Sequence, residues 1–185
     1  MALHFSKEEF EKRKLKTLQS MKEQNLDALL MFRQESMFWL TGYDTFGYVF
    51  FQTLILDQKG NVILLTRAPD LRQAQNTSNI EDIRIWVDKD QSNPTDDLKI
   101  ILNELNLKGK KVGIEYEAYG MTGRNALRLN KSLEGYCEVE DQSELITKHR
   151  VIKSAEEIVY VKKAAELADK ALDEAWKYTK AGASE

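Results

Sequence analysis

Cysteine is nearly absent from this sequence. Cys137 is the only one in 185 residues, which excludes an intramolecular disulfide and fits a reducing compartment. Histidine is almost as scarce, with His4 and His149 alone. Neither belongs to an HExxH pattern or to any metal-ligand spacing, and neither neighbours Cys137 in the chain. The phosphate-loop patterns GxGxxG and GxxxxGKS or GxxxxGKT do not occur, nor does a GxSxG nucleophile elbow. No sign of charge dominates: 27 basic side chains face 30 acidic ones, for a net charge of -3. Without a basic block or stripe, nucleic acid is not an expected partner. The apolar run near Val49 to Leu56 is interrupted by Gln52 and falls short of the roughly 20 residues a membrane helix needs. The first residues, MALHFSKEEFEKRK, are charged and carry no apolar core of a secretory signal. The cytoplasm is therefore the expected compartment, with no membrane partner.

Hydrophobic residues make up 42% of the chain and charged residues 31%, enough for one well-filled soluble domain. Ser6 with Glu9 fits a capping box, and the helix it opens places Phe10, Leu15, Leu18 and Met21 close to one face. Asn25 can end it, and Leu26 to Phe32 reads as a buried strand. Tyr48 to Leu56 and Val62 to Thr66 read as two strands joined by the Gly60 turn, an antiparallel hairpin. Short helices are expected from Ala68 through Gln75, after Asn93-Pro94, after Thr122 with Ala126, Leu127, Leu129 and Leu133 inward, and over Ser143–His149. Further strands are expected at Ile83–Val87, Val112–Tyr116 and Tyr136–Val139. The pattern predicts an α/β fold, a mixed sheet of about five or six strands flanked by helices. This domain spans 1-150. Ser154 and Glu157 form a second capping box, opening a long C-terminal helix to about Lys180 in the segment 151-185. Ile158, Val161, Ala165, Ala168, Leu172 and Trp176 give that helix an apolar stripe. Gly182 stops it, and Ser184-Glu185 reads as the start of another capped helix, so the chain is expected to continue or to need another body against its last helix.

Between the first two strands lies an aromatic, Gly-punctuated stretch, Ser36 to Tyr48, too irregular in pattern for one helix or strand. A loop that feeds directly into a core strand is held firmly at its base and suits the presentation of side chains to a ligand or partner. The alternative is that Phe38, Trp39, Tyr43, Phe46 and Tyr48 pack beneath the sheet. Elsewhere the acidic pairs Asp96/Asp97 and Glu138/Glu140 read as solvated surface. Glu115, inside a strand among apolar residues, reads as a partly buried structural carboxylate. Arg67 and Asp70 read as a local ion pair. No catalytic residue and no metal ligand stands out.

Ser36 to Tyr43, with Leu40-Thr41-Gly42-Tyr43 at its end, resembles a loop of the creatinase and Xaa-Pro peptidase family, which includes prolidase and aminopeptidase P. Leu26 to Leu30 and Val112 to Glu115 are similar to two of its strands. Arg150 to Ser154 with Glu157-Ile158, Lys163 to Ala171, and Gly182 with Ser184-Glu185 resemble its later motifs. The resemblance implies a creatinase/prolidase-type N-terminal domain over 1-150, followed by a linker and the first helix of a catalytic domain. In that family two divalent metal ions, manganese or cobalt, are held by two Asp, one His and two Glu. All five would lie beyond Glu185, so this chain alone is expected to bind no cofactor and hydrolyse nothing. The implied role is non-catalytic: contacts in a homodimer and gating of substrate, with Ser36, Tyr43, Asp44, Phe46 and Tyr48 as candidate contacts to substrate or partner subunit. The substrate class is small Xaa-Pro peptides. A small C–N substrate, as in creatinase or ectoine hydrolase, is the alternative, and a freestanding interaction module is a third reading.

Overall fold

Ser6 and Asn25 bracket the first helix. In a computed structural model, which describes residues 3–182, α1 spans Lys7–Glu23, and the Ser6 hydroxyl accepts the Glu9 amide at 3.1 Å. Asn25 turns the chain out of it at a φ of 57°, a left-handed conformation that Asn tolerates. The buried stripe differs from the one expected. It runs Phe10, Arg13, Thr17, Met21, while Leu15 is 62% exposed. Two polar residues occupy core positions because each has partners there: Arg13 binds Glu9 and the Trp39 carbonyl, and Thr17 donates to the Arg13 carbonyl.

Six strands form one sheet: β1 (Ala28–Met31), β2 (Thr53–Asp57), β3 (Val62–Arg67), β4 (Asp82–Trp86), β5 (Lys111–Ile114) and β6 (Glu138–Asp141), in the order β4-β3-β2-β1-β5-β6. β1 pairs antiparallel with β2 and parallel with β5, β2 and β3 form the expected hairpin, and the outer pairs β3–β4 and β5–β6 are parallel. The sheet is therefore mixed. Alternation along β1 feeds two cores. Ala28, Leu30 and Phe32 face a cluster with α4 (Pro94–Glu104) and α5 (Gly123–Leu133) through Leu98, Ile101, Leu102, Leu129 and Leu133. Leu29 and Met31 face a second cluster, with α2 (Gln34–Thr41), α3 (Leu71–Thr77) and α6 (Leu145–Val151) supplying Met37, Trp39, Leu40, Ala74, Leu145 and Ile146. Covering both faces explains why the central strands read as continuous apolar runs.

Further expectations are corrected. Gln34–Thr41 is a helix, α2, not an irregular loop. The second strand begins at Thr53, and Gly47–Val49 is a 3-10 turn. The last strand is Glu138–Asp141, displaced toward the C-terminus, because Tyr136 packs in the core and donates to Asn103 Oδ1 at 2.8 Å. On α5, Leu129 and Leu133 are buried as expected but Leu127 is exposed.

The chain divides into two compact units, 1–150 and 151–185. The second is built on α7 (Ala155–Tyr178). Its capping box is complete: the Ser154 amide donates to Glu157 Oε2 at 2.7 Å, and the Glu157 amide donates to Ser154 Oγ at 3.2 Å. A lone helix has no layer within its own unit to cover its apolar stripe, so the cap contributes directly to holding its first turn. Ser154→Ala should fray the first turn of α7 at a cost of about 1 kcal/mol, read as faster amide exchange from Glu156 to Val159 with unit 1 unaffected. Protection that is unchanged would show that the cap is not what holds this end. Gly182 takes a φ of 86° after the helix; Ser184 and Glu185 lie outside the described residues.

Candidate functional site

The segment after α2 is pinned from below. Gly42 ends α2 with a φ of 80°, and Tyr43 then turns inward and is fully buried. Its hydroxyl donates to Gln52 Oε1 at 2.8 Å and stands 3.4 Å from Thr66 Oγ1. Gln52 in turn donates to Thr45 Oγ1 at 3.2 Å. Burial pushes the Tyr43 phenol above its ordinary range, so it acts here as a neutral hydrogen-bonding post.

Two glycines set how closely the loop is held. A Cβ on Gly47 would stand 2.6 to 2.7 Å from the Asp70 carboxylate. Asp70 accepts Arg67 Nε at 3.1 Å, the local ion pair expected from sequence. The Arg67 guanidinium then lies over the Phe50 ring, 3.4 Å from its centroid, a cation–π contact. On the other side Gly120 lies against the backbone of Phe50 and Tyr48. This brings Tyr119 to Tyr48, edge to face, with centroids 5.5 Å apart and planes at 72°.

What remains outside is an aromatic rim. Phe46 is 87% exposed and Tyr119 76%; Asp44, Val49 and Phe50 are also exposed, and Tyr48 is half-buried. Beside it lies a shallow cleft of about 270 Å³ lined by Arg33, Gln34, Glu35, Tyr48, Ala118 and Tyr119 among others. Large exposed aromatics on a firmly held loop are unusual for a surface that meets only water.

Of the five candidate residues, Asp44, Phe46 and Tyr48 share this rim. Ser36 and Tyr43 do not: both are buried and hold the loop from within. Ser36 Oγ donates to Glu115 Oε1 at 2.6 Å. Glu115 follows β5 rather than lying inside a strand, and it is fully buried rather than partly. Tyr119 and the Arg67–Phe50 stack were not singled out from sequence. The aromatic and glycine in Tyr116-Glu117-Ala118-Tyr119-Gly120 were the available signal, a second short copy of the first loop's character.

The residues of ordinary catalytic chemistry are dispersed. His149 is half-buried and stacks on Trp39 at 6.0 Å and 18°, and burial lowers its pKa. The Cys137 thiol is pushed up by burial. Among the described residues no three His, Cys, Asp or Glu side chains converge to hold an ion. Nor, among them, is any helix long and apolar enough to cross a membrane.

A six-stranded mixed sheet between two helical layers defines an α/β domain. The Creatinase/Prolidase N-terminal domain family matches residues 13–152, and the chain belongs to that family. The hydrolase/peptidase y4tM of Sinorhizobium fredii is 29% identical over 180 residues, covering 94% of this chain and 46% of that protein. The ectoine hydrolase of Halomonas elongata is 26% identical over 174 residues, covering 90% and 43%. The recombinant prolidase of Thermococcus sibiricus shares the fold with a TM-score of 0.78 at 21% identity, covering 95% of this chain and 46% of that one. The chain thus spans about half the length of the curated relatives it matches, and corresponds to the N-terminal part of prolidase-like and aminopeptidase P-like proteins.

Proposed function

We propose that the chain is the non-catalytic N-terminal domain of a metal-dependent hydrolase of the Xaa-Pro dipeptidase or aminopeptidase P type. It makes contacts in a homodimer and restricts the approach of substrate to the partner's active site. The observation that carries this reading is the rim: Phe46 and Tyr119 stand in solvent on two segments held together by the Tyr43–Gln52 bond, the Asp70 contact at Gly47 and the close approach of Gly120 to Phe50. Aromatic anchors on a rigid base are what a contact surface uses, because little conformational entropy is lost when they are buried. In this reading the two divalent ions, manganese or cobalt, belong to a catalytic domain outside these residues.

The test is a paired substitution in the whole-gene product. Phe46→Ser with Tyr119→Ser should lower the unfolding free energy of unit 1 by no more than about 1 kcal/mol, since neither side chain is in the core and only the Tyr119–Tyr48 edge contact is lost. The same change should weaken the dimer by about tenfold or more in sedimentation equilibrium. A dimer of unchanged affinity removes the rim from the interface.

The ectoine hydrolase relative favours a second reading, in which the same domain serves an enzyme acting on a small C–N substrate. Assays of the whole-gene product on Gly-Pro, creatine and ectoine separate the two.

A further inference from the structure

Glu115 is a buried carboxylate that no part of the proposed function uses. It is 0% exposed. Its Oε2 accepts the amides of Phe32 at 3.1 Å and Arg33 at 3.0 Å, and its Oε1 accepts the Ser36 hydroxyl. Arg33 is the N-cap position of α2 but makes no side-chain cap of its own. Glu115 thus caps α2 from about 80 residues away, completing with Ser36 what a local capping box does within one turn.

No cation bonds it. The Arg33 guanidinium is turned elsewhere, with Nε on the Glu117 carbonyl at 2.9 Å, Nη2 on Glu117 Oε2 at 2.9 Å and Nη1 on Thr147 Oγ1 at 2.5 Å. The titratable groups beside it in the chain or bonded to its partners are Arg33 at the N-cap of α2, Glu35 in its first turn, and Tyr116 and Glu117 after β5. The Arg33 charge favours the ionised form of Glu115, against the larger opposing effect of burial. Three donors without a counter-ion leave a buried anion only partly compensated.

Glu115 also stands where the two halves of the aromatic rim diverge. α2 leads through Gly42 to Phe46 and Tyr48. The segment after Glu115 leads to Tyr119 and Gly120. Arg33, Gln34 and Glu35, at the end of α2 that Glu115 holds, line one cleft with Tyr48 and Tyr119, so this end of α2 borders both rings.

We infer that Glu115 is a positioning residue, a proton-sensitive clasp that fixes α2 to the end of β5 and so governs how firmly the aromatic rim is held. Protonated at Oε1, it keeps both amides on Oε2 and donates to Ser36 Oγ, whose hydroxyl turns to accept. Ionised, it keeps all three donors but carries a buried charge only partly compensated, which opening to water relieves. The sign follows from linkage. Burial pushes the carboxyl from 4.5 up to about 7. Stability from this group is therefore complete below 4.5 and lost as pH rises toward 7, and opening of the clasp becomes easier over the same window. The functional weight of the clasp rests on reading the rim as a contact surface. Its opening needs neither partner nor substrate to be measured, so the two ideas fail separately.

The experiment is amide exchange on the full chain, corrected for intrinsic rate, at Phe32, Arg33 and the segment Asp44 to Phe50, from pH 5 to 8. The expected result is an opening equilibrium that rises about tenfold between pH 6 and pH 8 in the parent chain. It should be flat in Glu115→Gln, whose carboxamide oxygen accepts both amides and whose amide nitrogen meets Ser36. Ser36→Ala removes a donor that favours the anion, so it should move the transition to higher pH, and it keeps the test decisive if Glu115→Gln does not fold. A flat parent profile, a Glu115→Gln profile with the parent's slope, an unmoved transition in Ser36→Ala, or a response at Phe32 and Arg33 that does not extend to Asp44–Phe50 each overturns the inference.

Discussion

Arg13→Ala is expected to cost unit 1 about 3–5 kcal/mol, a large share of the roughly 5–15 kcal/mol that holds a domain of this size. The side chain is 3% exposed. Its Nε donates to Glu9 Oε1 at 3.0 Å and its Nη1 to the Trp39 carbonyl at 2.8 Å. Cζ lies 4.1 Å from the Phe5 ring centroid and 5.3 Å from that of Trp39. Trp39 is two residues from the end of α2, where carbonyls lack intrahelical donors and the helix dipole favours a cation. One guanidinium therefore caps α2, neutralises the buried Glu9 and fills space between aromatic rings. Alanine removes all three and leaves Glu9 buried without this partner. Urea denaturation followed by tryptophan fluorescence measures the loss. The double change Glu9→Leu with Arg13→Met should cost less than Arg13→Ala alone, because both lose the donor to the Trp39 carbonyl but only Arg13→Ala leaves a buried charge without its partner. If the double variant were the less stable, the cost would lie in the guanidinium's packing and not in an unpaired charge.

Gly120→Val is expected to be nearly as damaging and to act on the rim itself. A Cβ at Gly120 falls inside the van der Waals envelope of the Phe50 carbonyl oxygen, 3.0 Å from its carbon and 3.2 Å from the Tyr48 carbonyl oxygen. These are backbone atoms and cannot rotate away. The two segments must separate, at about 2–3 kcal/mol or more, and Tyr119 then leaves Tyr48. Gly123 supplies the control. It is the first residue of α5 and a Cβ there meets nothing within 4 Å, so Gly123→Ala should be neutral or stabilising by up to about 1 kcal/mol. Equal denaturation midpoints for the two variants would mean that the close approach of Gly120 to Phe50 does not constrain the fold.

The expectations that held rest on local chemistry. Asn93-Pro94 opens α4, and Asn93 caps it through its side chain. Gly60 lies in the hairpin turn at a φ of 86°. Ser154 and Glu157 cap each other. Such signals act within four residues and survive in any tertiary setting. α2 was missed because its cap is Glu115, far along the chain, and because its eight residues are too few to show a period. The buried stripe of α1 was misassigned because Arg13 and Thr17 look like surface residues until their partners are visible. The candidate site divides the same way. Aromatic and glycine content marked the loop, but which rings face outward depends on Gly47 meeting Asp70, Gly120 meeting Phe50, and Arg67 lying over Phe50. None of those pairings has a local pattern.

The measurement that bears most directly on the central claim is substrate-length selectivity in the whole-gene product. The ratio of kcat/KM for a Xaa-Pro dipeptide to that for a longer Xaa-Pro peptide should be compared between parent and Phe46→Ser/Tyr119→Ser. If this domain gates the partner's active site, the ratio falls by about tenfold or more while the unfolding free energy of unit 1 falls by no more than about 1 kcal/mol. An unchanged ratio in an intact dimer, or the same hydrolysis by the 185-residue chain alone, contradicts the account.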